Sequence, residues 1–194
     1  MPAAQCRQDR QPAPPSAAAG AESIRWAVKT EDLFTDLRRK NMPCPICSWS
    51  PDNQDYLLVY ETTFWRVVLA PNQCLVGRCI VHLKRHCGDV AETRPDELID
   101  WLSIVTIMET ALRRAFDATM FNWSCYMNLS YRENPPDPHI HWWVVPRYNH
   151  SVKVGAMTFE DSRFGSPYDY SMSLNIPKDM RQQIAERLRQ VISA

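Results

Sequence analysis

Pro138-His139-Ile140-His141-Trp142-Trp143-Val144-Val145-Pro146-Arg147 is the stretch whose reading decides the fold. β-Branched and aromatic residues dominate it, which is strand composition. Side chains alternate between the faces of a strand, so His139 and His141 point the same way, about 6–7 Å apart along the chain. A Cys-x-x-Cys pair, Cys44 and Cys47, lies far upstream together with a further histidine. Two same-face histidines with such a pair point to a metal ligand beside a nucleophile.

Working outward, a second strand is predicted over 120–129, joined to the first by the polar, proline-rich loop Ser130–Pro138. Earlier strands are predicted over 56–61, 64–70 and 77–83. Only Thr62 and Thr63 separate the first two, which is hairpin spacing. A long helix is predicted over 95–116, capped by Thr93 with Asp96 three positions on, and with Pro95 in its first turn. Leu98, Trp101, Leu102, Val105, Met108, Leu112 and Ala115 recur along it at helical spacing and read as its core stripe. Pro177 starts a last amphipathic helix carrying Ile184, Leu188 and Val191. Strands running consecutively around one helix imply an α+β domain on an antiparallel sheet.

Towards the N-terminus, a short helix is expected over 30–40, and Met42–Ser48 reads as a tight turn between prolines. Residues 1–25 hold almost no large apolar side chain and read as a disordered tail. The expected organisation is therefore that tail, a domain over 26–170 with its core at 42–150, and a C-terminal helical region over 171–194. No element is predicted in the aromatic and acidic segment 147–170.

The bulk numbers exclude some classes. Twenty-two basic residues balance 22 acidic ones, so the basic excess of a nucleic-acid binder is missing and no nucleic-acid partner is expected. No apolar run reaches the roughly 18 residues of a membrane span. The first 20 residues carry no apolar secretory segment, so the seven cysteines are expected as reduced thiols in the cytoplasm. Cys74, Cys79, Cys87 and Cys125 sit in apolar surroundings and read as small core residues.

Cys44 and Cys47 have the spacing that lets both sulfurs reach one ion, and structural zinc needs two more ligands from elsewhere. A redox pair is the alternative, although it needs a helix N-terminus after the pair. Here a polar turn and a strand follow. Two unligated structural thiols are the third option, and zinc is the favoured reading.

The region from Cys44 to Arg147 resembles the histidine-triad superfamily of nucleotide hydrolases and transferases. The matching residues are Gly77-Arg-Cys-Ile-Val-His-Leu-Lys-Arg-His86, Asn128 eleven positions before His139, and His139-Ile-His141-Trp-Trp143-Val-Val-Pro-Arg147. The Cys-x-x-Cys version is similar to galactose-1-phosphate uridylyltransferase and to some bacterial histidine-triad proteins. The resemblance implies an antiparallel sheet with one long helix packed on it and a C-terminal helix. It implies a structural zinc ion held by Cys44, Cys47, His86 and His139. It makes His141 the nucleophile on the α-phosphorus of a small nucleotide such as a dinucleoside polyphosphate, with Asn128 assisting, and it implies a homodimer.

The chain departs from the family pattern at several positions. Trp143 replaces the third histidine, and Arg78 replaces the histidine after Gly77, where it can clamp phosphate. Ala70 stands where a ribose ligand is expected, leaving Asn72 as its substitute. Pro135 and Pro136 replace polar residues near the leaving group, where Tyr131, Arg132 and Asn134 are the nearest alternatives. Arg78, Asn72 and Trp143 are thus the expected substrate-binding set. A catalytically weak or inactive nucleotide-binding protein is the alternative function.

Overall fold

The computed structural model describes residues 44–194. The expected tail 1–25 and helix 30–40, with the first residues of the Met42–Ser48 turn, lie outside the described residues. Five strands form one antiparallel sheet in the order β1-β2-β3-β5-β4. They are β1 (Leu57–Glu61), β2 (Trp65–Leu69), β3 (Cys79–Leu83), β4 (Met120–Ser124) and β5 (His141–Arg147). A small hairpin follows, β6 (Val152–Val154) and β7 (Met157–Phe159). The helices are α1 (Pro95–Phe116) and α2 (Lys178–Ser193). Among the described residues no helix is long and apolar enough to cross a membrane.

The central strand β3 is buried at all five positions, because it has neighbours on both edges and cover on both faces. Cys79, Val81 and Leu83 point to one side. There they join Val144 of β5, Ile104, Met108 and Leu112 of α1, and Ile184 and Leu188 of α2 in a single apolar core. Each fully buried aliphatic side chain of this kind contributes about 1.5–3 kcal/mol. Both helices thus cover one face of the sheet. Ile80 and His82 point to the other face, level with their cross-strand partners Trp143 and His141. Trp49 and Tyr56 cover part of that second face, and Tyr168, Met172 and Leu174 cover more of it.

The expected α+β architecture is the observed one, and it differs from expectation in four local ways. The α1 cap is Arg94, whose backbone N–H donates to the Glu97 side chain at 2.8 Å. Thr93 instead ends a 3-10 turn over Val90–Glu92. The buried face of α1 is Ile104, Met108, Ala111, Leu112, Ala115 and Phe116, whereas Leu98 and Leu102 are exposed. Over the first two helical turns the side that meets the sheet is Glu97 and Trp101, with Trp65 Nε1 donating to the Glu97 carbonyl at 2.7 Å and the Trp142 ring centroid 4.8 Å from that of Trp101. Strand β4 stops at Ser124, its last pair being Ser124↔Trp143. A 3-10 turn over Asn128–Arg132 follows, with Ser130 Oγ donating to the Met127 carbonyl at 2.7 Å. Finally, β6 and β7 form where no element was expected. Val152-Lys-Val and Met157-Thr-Phe alternate correctly, and Gly155 takes the turn with φ +55.

Candidate metal centre and nucleophile site

The turn after Cys44 brings the two cysteines together, with Ser48 N–H donating to the Cys44 carbonyl at 3.0 Å. At the far end of the sheet β3 runs out at Leu83 and β5 begins at His141. Two backbone bonds sew the flanking residues together there, Leu83 N–H to the Ile140 carbonyl and Ile140 N–H to the Cys87 carbonyl. His86 and His139 therefore reach the same point from opposite sides of that seam.

Cys44 Sγ lies 3.3 Å from His139 Nδ1. Cys47 Sγ lies 3.4 Å from both His86 Nδ1 and His139 Nδ1. All four ligand atoms fall within 4.8 Å of one another. Ordinary Zn–S and Zn–N bond lengths give a tetrahedral S···N edge of about 3.5 Å, so the cluster has the dimensions to hold such an ion. The outer nitrogens are also held: His139 Nε2 donates to the buried Leu83 carbonyl at 2.7 Å, and His86 Nε2 lies 3.2 Å from Asp137 Oδ1. A carbonyl or carboxylate in that position fixes which ring nitrogen faces a metal. Partial burial, then the neighbouring Cys44, push the Cys47 thiol up to about 11. A bound dication reverses that preference, because thiolates are its ligands. Asp137 was missed from sequence, although its place two residues before His139 is visible there.

His141 is half-buried on the second face of the sheet. Its Nδ1 donates to the His139 carbonyl at 2.8 Å, which leaves Nε2 as the free nitrogen. Burial lowers its pKa, opposed by that hydrogen bond. Trp143, two residues on, has its ring centroid 6.4 Å from that of His141.

The remaining expected site residues are placed differently from one another. Arg78 is 5% exposed, its guanidinium 4.1 Å from the Trp143 ring centroid and 5.1 Å from that of Tyr168. It lies on the same face as His141, two strand positions beyond Ile80. Asn72 is committed to the chain itself. Its Nδ2 donates to the Met172 carbonyl at 2.8 Å, and its Oδ1 accepts from Cys74 and Leu174 backbone N–H groups. Asn128 begins the 3-10 turn after β4, exposed, with no side-chain hydrogen bond among the described residues.

Several solved structures similar to this chain are of histidine-triad proteins. A histidine triad nucleotide-binding protein from Sulfolobus tokodaii matches at a TM-score of 0.56 and 18% identity, over 77% of this chain and 92% of that one. The chain has the histidine-triad fold. Histidine triad proteins from Bradyrhizobium japonicum (TM-score 0.55, 13% identity, 72% of this chain and 92% of that one) and Sinorhizobium meliloti (TM-score 0.55, 14% identity, 71% and 90%) agree. No protein-family model matches the sequence, and no curated protein does. At these identities the likeness extends to the histidine-triad fold alone, and the chemistry has to be argued from the side chains.

Proposed function

We propose that the chain is a nucleotide hydrolase or nucleotidyltransferase that cleaves a phosphoanhydride or related bond at the α-phosphate. The observation that carries this is the His141 tautomer: Nδ1–H is tied to the His139 carbonyl, so Nε2 presents its lone pair on the open face. That nitrogen attacks the α-phosphorus and forms a P–N bond, while the P–O bond to the leaving group breaks and its oxygen keeps the electron pair. Water or another acceptor oxygen then displaces Nε2 and restores the imidazole. The partner is a small nucleotide, with dinucleoside polyphosphates the leading class, and the setting is a reducing cytoplasm.

Cys44, Cys47, His86 and His139 would hold a zinc ion of structural role. When bound, it supplies a rigid joint between the N-terminal turn and the strand that carries the nucleophile. A homodimer is part of the same proposal. Leu98, Ile99 and Leu102 are exposed on α1, along the flank where β4 leaves its outer edge unpaired.

A second reading, nucleotide binding without turnover, has its own support. Asn72 is held by the chain, and Arg78 is stacked against Trp143 and Tyr168 rather than free to swing. Intact-protein mass spectrometry after brief mixing with nucleotide anhydrides and phosphoramidates separates the two. The hydrolase reading expects a nucleotidyl-sized mass gain that His141→Ala abolishes. Binding with neither adduct nor product across the panel would leave the second reading standing.

A further inference from the structure

Three cross-strand neighbours form a row on the face that carries the nucleophile: Arg66 on β2, His82 on β3 and His141 on β5. Arg66 opposes His82, and His82 opposes His141. Residues directly opposed on one face stand with Cβ atoms about 4.5–5.5 Å apart. His82 is 3% exposed, and its Nδ1 has no hydrogen-bond partner among the described residues. Arg66 Nε is likewise buried and without a hydrogen bond, the Glu61 carboxylate standing 3.5 Å away in an ion pair that lacks hydrogen-bond geometry. Trp49 lies over both. Its ring centroid is 4.2 Å from the Arg66 guanidinium and 6.4 Å from the His82 ring.

A buried polar atom with no partner destabilises the fold, and an aliphatic side chain at 82 would avoid the cost. Two such atoms on opposed residues, one of them on a cation, with the free imidazole nitrogen of His141 on the far side of His82, share one remedy, which is an anion with several acceptor oxygens. Burial, then Arg66, hold His82 down to about 3, so its ring is neutral and can donate N–H without adding charge. Arg66 brings the charge itself.

We propose that Arg66 and His82 form a phosphate-oxygen subsite beside His141, roofed by Trp49. It rests on the reading of His141 as the residue that meets a phosphate group, and it holds non-bridging oxygens of the polyphosphate chain. Trp49, whose Nε1–H donates to the Tyr56 carbonyl at 3.1 Å, has to move to admit them. His82 is then a binding residue, in contact with substrate, and Trp49 is a reporter of occupancy.

The test is calorimetric titration of the full chain with inorganic pyrophosphate, which removes the unknown base from the question. The expected result is saturable binding by the wild type, weakened at least tenfold in His82→Leu and in Arg66→Met. The melting temperature of His82→Leu should hold or rise, since leucine removes the unpartnered nitrogen. Tryptophan fluorescence should change on binding in the wild type and not in Trp49→Phe. Absence of wild-type binding, or binding by His82→Leu within twofold of wild type, overturns the proposal. Nucleotidyl transfer is read separately, from the mass gain of the wild type on a nucleotide anhydride. Loss of nucleotidyl transfer would therefore fail the reading of His141 alone, and loss of the His82 effect would fail the subsite alone.

Discussion

His139 acts through three different atoms. Nδ1 faces the cysteine sulfurs, Nε2 donates to the Leu83 carbonyl, and its own backbone carbonyl accepts the N–H of His141. A metal that immobilises the His139 ring would therefore also steady the carbonyl that sets the tautomer of His141. The two histidine arms differ. The Leu83 carbonyl behind His139 is buried, whereas the His86–Asp137 contact is largely exposed, with Asp137 on the loop that leads into β5. Asp137→Asn should lower zinc affinity about 10-fold in competition with a chromophoric chelator. Cys44→Ser should lose the metal and stability together. A Cys44→Ser variant that retained one equivalent of zinc would remove Cys44 from the ligand set. Of the four candidate ligands, Cys44 and Cys47 are legible from their spacing, whereas His86 and His139 follow only from the family resemblance. Asn128 was legible only as a distance along the chain. Its placement depends on where β4 stops, and no local signal marks that point.

The junction between β3 and α1 is organised by one buried carboxylate. Glu97 is 1% exposed, accepts from the Arg94 backbone N–H, and is held by two nitrogens of Arg85. Arg85 keeps the Glu97 carboxyl below the usual carboxylate range. A carboxyl whose folded pKa is depressed stabilises the fold above its unfolded pKa of about 4.3, and that contribution fades as pH falls through the lower folded value. Glu97→Gln should therefore cost about 1–3 kcal/mol at neutral pH. The gap to wild type should narrow only below about pH 4, which urea unfolding at pH 7 and pH 3 will show. An unchanged gap at pH 3 would mean that the ion pair is not its source. At this scale the sequence was read well where periodicity is local, as in α1 and in the paired strands β1 and β2. It was read less well at termini, where Thr93 is the better cap by composition and the Arg85–Glu97 pair decides the start instead. The β6–β7 hairpin carries an alternation around Gly155, but its three-residue strands are too short for that signal to stand out among the surrounding aromatics.

Across the whole molecule, the two faces of the sheet have different uses. The helices cover one face, with Phe121, Trp123 and Trp142 partly buried against them. The other carries His141, His82 and Arg78 and is partly covered by Tyr168, Met172 and Leu174. That covering was illegible in sequence, because the bonds that hold it join Asn72 to residues about 100 positions away. The fold class was legible because it follows from element order. If the proposed dimer forms along the α1 flank, Leu102→Glu should give a monomer by light scattering with its melting temperature within a few degrees of wild type. The 58% exposure of Leu102 means the change removes no core contact. A wild type that is itself monomeric at micromolar concentration would refute the dimer.

The other edge of the sheet is guarded from within. Arg189 of α2 donates two nitrogens to the Leu58 carbonyl, at 2.8 and 2.6 Å, where the β1–β2 register breaks between Leu58 and Tyr60. An unpaired strand edge invites pairing with other chains, and bulges and edge charges discourage it. An Arg189→Met variant would keep Ile184 and Leu188 in the core yet leave Leu58 without its guard. Its penalty should show as precipitation on concentration, well before any loss of the folded state.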